Sequence, residues 1–329
     1  MSCSTRLFLA IGRLFTGVSF LLRYIVRRLL HTVLVLLGIS LIVFLTIRMT
    51  GDPAAAMLQG GNPTKEAIDH LRHALGLDKP LYIQYFIFLK GAITLNFGHS
   101  YATGQPVLQM ILSRMGATLL LAFGGIVIGL LLAFPIGILS AMQQGKWLDL
   151  FGRVFALLGI SFPNYWLATM FILIFSVKLG WFPVSGYSGP ASLVLPSVTL
   201  GLILAGILAR LIRSSMLDVL SSQYITTARA KGLLARRVLL YHGLRNALIP
   251  TVTFIGLQFG SLLGGVVILE QVFSWPGVGR LVVDAINQRD YPVVQGAVLF
   301  LAFLLILVNL VVDLSYGFID PRIKVGGGS

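Results

Sequence analysis

Acidic side chains are scarce in this chain: 11 Asp and Glu stand against 25 Lys and Arg among 329 residues. Charged residues of both signs make up only 11%, whereas soluble domains carry about 25%. Apolar residues reach 57% and the mean hydropathy is +0.90. This composition excludes a soluble domain and predicts a membrane protein.

Several kinds of chemistry are also missing. The single cysteine, Cys3, excludes an internal disulfide. No Gly-rich phosphate loop ending in Lys-Ser/Thr occurs, so any ATP hydrolysis belongs to another chain. The histidines are scattered, and no nucleophile–base set is recognisable. We predict no metal site, because only His70 and His73 are spaced to share an ion and two ligands make a weak site. An integral membrane enzyme is disfavoured.

Long uncharged runs dominate what is present. Six runs of about 20 residues match a hydrocarbon core of roughly 30 Å. Because lipid offers backbone groups no partners, each run is predicted to be a helix. The runs are Leu29–Ile47, Ala117–Ile138, Val154–Val177, Ser192–Ala209, Pro250–Leu269 and Val293–Val312. The fold class is therefore an all-α membrane protein with six transmembrane helices.

Basic residues fall on one side of this topology. They precede the first run, flank the turn between the second and third runs, fill the loop between the fourth and fifth, and end the chain. The positive-inside rule makes that side cytoplasmic, with both termini inside and residues 50–113 outside, in the periplasm. The net charge of +14 thus reflects membrane topology rather than nucleic-acid binding. Arg210 and Arg213 are expected to snorkel to the cytoplasmic interface.

The chain divides accordingly into three parts. Residues 1–22 form a cytoplasmic extension that we expect to lie on the membrane surface. Residues 23–325 form the transmembrane domain. The terminal GGGS at 326–329 reads as a linker and enters no functional argument.

Two external features have clear local signals. Thr64 is placed to begin a helix that Gly76 ends. Trp275-Pro276-Gly277 predicts a turn after the fifth run.

A proline interrupts the third run at Ser161-Phe162-Pro163-Asn164-Tyr165. It removes a backbone donor and predicts a kink in the helix. Ser161 and Asn164 beside this kink are candidates to line a translocation pathway. A packing kink in which Asn164 bonds to a neighbouring helix is an equal alternative.

Small residues mark the fifth run, where Gly256, Gly260 and Gly264 recur at four-residue spacing. Such a stripe allows another helix to approach closely. Gln258 and Ser261 are the polar side chains in its middle, which makes them pathway candidates. Packing within the chain is the alternative.

A polar stretch, Gln223–Pro250, separates the fourth and fifth runs and reads QYITTARAKGLLARRVLLYHGLRNALIP. Its apolar spacing predicts short helices broken at Gly232. It holds no acidic residue, and its basic residues are Arg229, Lys231, Arg236, Arg237 and Arg245.

Tyr224–Gly232 and His242–Pro250 resemble the cytoplasmic coupling loop of ABC-transporter permeases of the peptide/nickel importer family. The family pattern is Y-I/V-x-T-A-R-A-K-G followed by R/H-x-L-R-N-A-L-I-P. The Glu-Ala-Ala of the broader permease signature is replaced by Thr226-Thr227-Ala228, a departure that fits this branch. Further matches follow in the family's order, so the resemblance covers roughly Leu22–Ile323. They are GDP, LGLDKPLYIQY, NFGHS, VFSWPGVGRLVVDAINQRDYPVVQG and NLVVDLSYGFIDPRI.

The resemblance implies a type I importer permease in the cytoplasmic (inner) membrane, with residues 215–249 as the coupling loop. Tyr224–Leu239 is expected to form the coupling helix, in which Ala228 and Ala230 permit close approach to an ATPase. The implied coupling residues are Tyr224, Thr227, Ala228, Arg229, Ala230, Lys231 and Gly232.

The implied partners are a second, homologous permease, two ATPase subunits and an extracytoplasmic solute-binding protein. ATP and Mg²⁺ would be bound by the ATPases, so no cofactor is expected in this chain. The implied activity is import of di- or oligopeptides by alternating access; nickel or metallophore chelates and glutathione are alternatives. An ion-coupled secondary carrier is the rival class. It is disfavoured because the centres of the runs lack carboxylates, Glu270 and Asp313 lying near their ends.

Overall fold

The computed structural model describes residues 30–49, 54, 64–232, 234, 238 and 243–319. The predicted N-terminal extension (1–22), most of 233–242 and the tail at 326–329 lie outside these residues. The described part is helical and contains no strand beyond one isolated bridge between His99 and Pro106.

We number eleven helices of the described residues in chain order. They are α1 (Leu30–Met49), α2 (Lys65–Leu75), α3 (Leu81–Ile93), α4 (Val107–Met142), α5 (Trp147–Ser161), α6 (Asn164–Phe171, continued by π-helical turns over Ile172–Lys178), α7 (Ala191–Leu220), α8 (Gln223–Ala230), α9 (Arg245–Val272), α10 (Val278–Asn287) and α11 (Tyr291–Ile319).

The fold class is confirmed. Within the described ranges, α1, α4, α7 and α11 are each long and apolar enough to cross a membrane, and the pair α5–α6 adds a fifth candidate span. Helix α9, with 28 residues, occupies the position of the fifth predicted run. A 28-residue helix is about 42 Å long, more than the hydrocarbon core requires.

The third run is not a single kinked helix. Helices α5 and α6 meet at an angle of 102°. Phe162, directly before Pro163, is extended (φ −82°, ψ 130°), as the proline ring demands of the residue that precedes it. Pro163 then precedes the first residue of α6. The proline therefore ends one helix and allows a new one to start in another direction.

Helix α7 is the centre of the bundle. It packs most extensively on α4 and also contacts α5, α6 and α9. Helices α5 and α7 cross at two glycines, where a Cβ on Gly206 would lie 3.2 Å from the Cα of Gly159. The main core cluster is built around α4 and α7 and includes Leu121, Leu204, Leu208 and Ile212.

The two ends of the bundle differ in charge. The turn from α4 to α5, the last turns of α7, and α8 share one end, which carries Lys146, Arg153, Arg210, Arg213 and Lys231. We call this the basic end. The opposite end holds the start of α4, the end of α9, helix α10 and the start of α11. The end of α1, the start of α4, helix α10 and the start of α11 pack there into a second cluster with the segment before α4.

The two local structures predicted from short motifs, the helix between Thr64 and Gly76 and the turn at Trp275-Pro276-Gly277, are confirmed. Thr64 Oγ1 accepts a hydrogen bond from the backbone N–H of Ala67, and Gly76 ends α2 with φ +64°. The Trp275-Pro276-Gly277 turn is closed by hydrogen bonds from Trp275 N to Glu270 O and from Gly277 N to Trp275 O.

Candidate functional site

Helix α8 is the predicted coupling element, and it has two distinct faces. Ile225 and Ala228, three residues apart, are buried. Tyr224 is 43% exposed, and Thr227 and Lys231 are exposed at the next positions of the same helical side. Residues at i, i+3 and i+7 share one side of a helix. One face of α8 therefore packs inward and the other is exposed.

The inner face of α8 joins the helix to the rest of the bundle. Ile225 and Ala228 pack with Val238 from beyond the helix, and Val219 of α7 lies against them. Only Ser221 and Ser222 separate α7 from α8. Helix α8 is therefore joined to α7, the central helix, both by a two-residue connection and by packing.

The end of α8 is set by Gly232. The N–H of Lys231 still donates to Thr227 O, but Gly232 adopts φ +75°, which other residues rarely tolerate. The helix consequently ends at Ala230 and, contrary to the prediction, does not extend to Leu239. Between residues 233 and 239, only Leu234 and Val238 are described. The side chain of Arg229 lies outside the described residues.

The structure separates the two alanines to which the sequence assigns one role. Ala228 is 9% exposed and faces Val238 within the chain, whereas Ala230 is exposed. The small size of Ala228 is explained by packing inside the loop. Close approach of a partner is possible at Ala230.

The four pathway candidates lie on α5, α6 and α9, of which α6 and α9 contact each other. The hydroxyl of Ser161 is exposed but donates to Leu157 O at 2.8 Å, and Asn164 is half-buried at the start of α6. Gln258 is half-buried in α9; Ser261 lies one turn further along, and its side chain is outside the described residues. Their assignment to a pathway stays a prediction.

The small-residue stripe of α9 has open space at Gly264. A Cβ added there would meet nothing within 4 Å, and Ile268, one turn further, is exposed. Packing against the described residues therefore does not explain the glycine at that position.

Glu270, at the end of α9, anchors a network that the sequence did not reveal. It is fully buried, accepts from Thr118 Oγ1 at 2.6 Å and accepts from the backbone N–H of Arg280 at 3.0 Å. Thr118 in turn accepts from Val278 N at 2.9 Å. Gly277 lies so close that a Cβ there would overlap the carboxylate. The network holds α4, α9 and the start of α10 together at the opposite end.

Asp149, in the first turn of α5, forms the matching anchor at the basic end. Its side chain is only 2% exposed. Its carboxylate accepts hydrogen bonds from Nε (2.6 Å) and Nη2 (3.0 Å) of Arg213. Ser140 Oγ and Gly145 N also donate to it. The expectation that Arg213 snorkels to the interface is wrong, because its guanidinium is held by this buried carboxylate and its side chain is only 22% exposed. Arg210, by contrast, is exposed.

A third carboxylate, Asp290, ties the segment before α4 to the start of α11. It accepts from Ser100 Oγ and from the backbone N–H groups of Tyr101 and Ala102. Burial is the main cause that raises the pKa of Tyr101. Residues 97–101 are thereby fixed against the second core cluster.

The sequence feature that could have located these three buried carboxylates is the low number of Asp and Glu residues in the chain. An isolated Asp or Glu beside a long apolar run cannot stay buried and unpaired, so it demands donors. The identity of those donors depends on tertiary contacts: Thr118 and Glu270 are 152 positions apart, and Ser100 and Asp290 are 190. No described group of three or more His, Cys, Asp or Glu side chains could hold a metal ion.

Comparison with known proteins agrees with this architecture. Among solved structures, the MetNI methionine ABC transporter in an inward-facing conformation matches with a TM-score of 0.56 at 19% identity, covering 64% of this chain and 97% of that one. An amino acid ABC transporter with histidines matches with a TM-score of 0.51 at 16% identity, covering 65% and 94%. At these identities the likeness concerns the fold alone.

Sequence relatives are nearer. The glutathione transport system permease protein GsiC of Escherichia coli strain K12 is 43% identical over 305 residues, which are 92% of this chain and 99% of the relative. The GsiC protein of Salmonella typhimurium strain LT2 is 44% identical over the same length.

Two family models cover most of the chain. Residues 21–122 match the N-terminal part of binding-protein-dependent transport system membrane components, and residues 133–325 match the inner membrane component itself. The relatives are permease subunits of ABC importers and not enzymes. The chain belongs to the family of binding-protein-dependent transport system inner membrane components, as a multi-pass ABC importer permease of the peptide/nickel type.

Proposed function

We propose that this chain is the membrane-spanning subunit of an ATP-driven importer of short peptides, with glutathione as the first substrate to test. The observation that carries the proposal is the 43% identity over 92% of the chain to a glutathione transport permease. Glutathione is itself a tripeptide, so the expectation of a peptide substrate and this likeness point to one chemical class. The relatives reported above give no support to nickel or metallophore chelates.

The proposed orientation places the basic end in the cytoplasm, in keeping with the positive-inside rule. Residues 215–249, which include α8, then form the cytoplasmic coupling loop, both termini lie inside, and residues 50–113 lie outside. The outer face of α8, formed by Tyr224, Thr227, Ala230 and Lys231, is the surface that docks on an ATPase subunit. Lys231 would steer the encounter more than it adds affinity.

The proposed assembly contains a second, homologous permease, two ATPases and a soluble or lipid-tethered binding protein. One observation supports the second permease in particular. On the face of α9 that carries Gly264 and Ile268, no described residue packs against Gly264, and small residues allow close helix approach in membranes. Gln258 and Ser261, on the same helix, would then lie near the route between the two permeases.

The coupling mechanism follows from how α8 is attached. When ATP draws the two ATPases together, α8 moves with them. Val219, packed beneath α8, passes this motion to α7, and the Asp149–Arg213 pair passes it from α7 to α5. Because α7 also packs on α4, the spans move as a rigid body between two arrangements. The pathway would face outward with ATP bound and inward after hydrolysis.

The experiment that tests this function measures ATPase recruitment and ATP-dependent glutathione uptake by the complete assembly in liposomes. Ala230→Trp adds bulk to the outer face of α8 and is expected to abolish both. Gly232→Trp is expected to do the same by shifting the end of the helix. The matched control is Ala191→Trp, an exposed alanine at the opposite end, which should retain both.

Ala228→Trp separates docking from local packing. Because Ala228 faces Val238, the bulky residue should disturb the loop itself and also prevent recruitment. Normal uptake and normal recruitment in Ala230→Trp, Gly232→Trp and Ala228→Trp together would contradict a coupling role and leave a loop that only fixes topology.

A further inference from the structure

A groove at the basic end lies outside the coupling surface and the pathway candidates. It has a volume of about 360 Å³ and is formed where α4, α5 and α7 meet. Its polar lining residues are Ser140, Arg153, Arg210 and Arg213, and the other lining residues are apolar side chains and one glycine. The groove is thus apolar apart from one serine and three arginines.

The charges of the groove are not balanced. Asp149 is the carboxylate that contacts the arginines of the groove. Both of its oxygens are already hydrogen-bonded to the guanidinium of Arg213. Arg153 lies further from it, with 3.6 Å between Nη2 and Oδ2 and a side chain that is 55% exposed. Arg210 is exposed, and no ion pair to it exists within the described part of the chain. Three guanidinium groups therefore face one carboxylate, and an anion is favoured beside Arg153 and Arg210.

The walls of the groove run from these charges into the apolar part of the bundle. Leu157 and Ile160, on the same face of α5, follow Arg153 by one and two helical turns and are both exposed. Trp147, at the start of α5, is also largely exposed, as is usual for aromatic residues at a membrane–water interface. The groove therefore has a charged rim at interface depth and a hydrocarbon-facing wall beneath it.

We propose that this groove is a binding site for an anionic phospholipid. The phosphate of the headgroup is held by Arg153 and Arg210, with Arg213 fixed beneath them by Asp149. One acyl chain lies along Ala156, Leu157 and Ile160. Basic pockets between transmembrane helices are suited to anionic headgroups, and guanidinium groups bind phosphate in two-pronged fashion. A free phosphate would leave the apolar wall unused, which favours the lipid.

The site has a mechanical consequence. The lipid would bridge α5 and α7 at the end where α8 attaches, and it would thus reinforce the Asp149–Arg213 link. Its occupancy is expected to stabilise the fold and leave the choice of substrate unchanged.

The test uses the full-length chain in detergent. Native mass spectrometry measures which lipid is retained from an equal mixture of phosphatidylglycerol and phosphatidylcholine, and thermal unfolding is measured with equal amounts of each lipid added separately. Phosphatidylglycerol should be retained preferentially and should raise the unfolding temperature. The variant Arg153→Gln/Arg210→Gln should bind it roughly 30-fold more weakly. The control Lys90→Gln/Lys178→Gln removes the same charge from the opposite end and should behave as the wild type.

Three outcomes would overturn the proposal. One is equal retention of the two lipids by the wild type. Another is unchanged retention of phosphatidylglycerol by the double arginine variant. The third is full displacement of the lipid by inorganic phosphate or by assembly with the partner subunits, which would assign the groove to a free anion or to a protein.

Discussion

At the level of single residues, three buried carboxylates serve as fixed points. Glu270, Asp149 and Asp290 each accept several hydrogen bonds, and each has a donor from a segment distant in sequence. A buried carboxylate without donors is strongly unfavourable, so each network admits only one local arrangement. The three anchors lie at the two ends of the bundle, where helices must be held in register against each other.

Thr118 offers a direct test of the Glu270 anchor. Thr118→Val keeps the shape of the side chain but removes the donor to Glu270 and the acceptor for Val278 N. We expect a loss of about 2 kcal/mol in the free energy of unfolding, since two buried polar groups lose a partner. Thr118→Ser keeps the hydroxyl and should lose much less. Unfolding in detergent with increasing denaturant measures both; equal stability of Thr118→Val and wild type would contradict the anchor.

The pair Asp149–Arg213 is tested by a double-mutant cycle. Asp149→Leu leaves a largely buried guanidinium without its partner and should lower stability by roughly 3 kcal/mol. Arg213→Met alone should also destabilise, because Asp149 is then left charged and buried. The double variant is expected to regain most of the loss, since two apolar residues replace both charges. Simple additivity of the two single losses would show that the residues do not act as a pair.

The limits of sequence-based prediction are clearest at this scale. The residues of α8 and the cap at Thr64 have local signals, so they were predictable. The partners of Glu270 and Asp149 have none, because contact between Thr118 and Glu270 requires α4 and α9 to be packed first. The expected snorkelling of Arg213 failed for the same reason: nothing near it in sequence announces Asp149, which lies 64 positions away.

At the level of helices, apolar run length located α1, α4, α7, α11 and the bent pair α5–α6 as candidate spans, but it did not locate the ends of these helices. The second predicted run, Ala117–Ile138, lies inside α4, which extends ten residues before it and four after it, from Val107 to Met142. Hydropathy reports the part of a helix in lipid, whereas hydrogen bonding and packing of the ends decide where the helix stops. The break at Pro163 was predictable as a kink, but the 102° angle depends on what α5 and α6 pack against.

Pro163→Ala tests the cause of that break. Alanine restores the backbone donor and allows Phe162 to become helical, so we expect the angle between α5 and α6 to open. Spin labels at the exposed positions Leu150 and Val177 report the distance between the helix ends. A straight helix would separate them by about 40 Å, and the variant should move toward this value. An unchanged distance distribution would show that packing alone maintains the bend.

At the level of the whole molecule, orientation follows from the unequal charge of the two ends. A cysteine introduced at Lys65 should react with impermeant reagents only from outside, and one at Lys231 only from inside; both positions are exposed. Cys3 is replaced by serine in both variants so that one thiol remains. Labelling of position 65 solely from the cytoplasmic side would reverse the proposed topology.

The sequence of the whole chain identifies the family but not the substrate. Motifs spread from Leu22 to Ile323 identify the permease type, and the fold that they imply is present. No described side chain identifies the cargo, because the pathway candidates Ser161, Asn164, Gln258 and Ser261 are uncharged.

The most direct test of the central claim is uptake of labelled glutathione into liposomes that contain this permease, its homologous partner, the two ATPases and the binding protein. We predict uptake that requires ATP and the binding protein and with which short peptides compete. Ala230→Trp should abolish this uptake while the chain remains inserted in the membrane. Uptake by this chain alone, driven by an ion gradient without ATP, would contradict it.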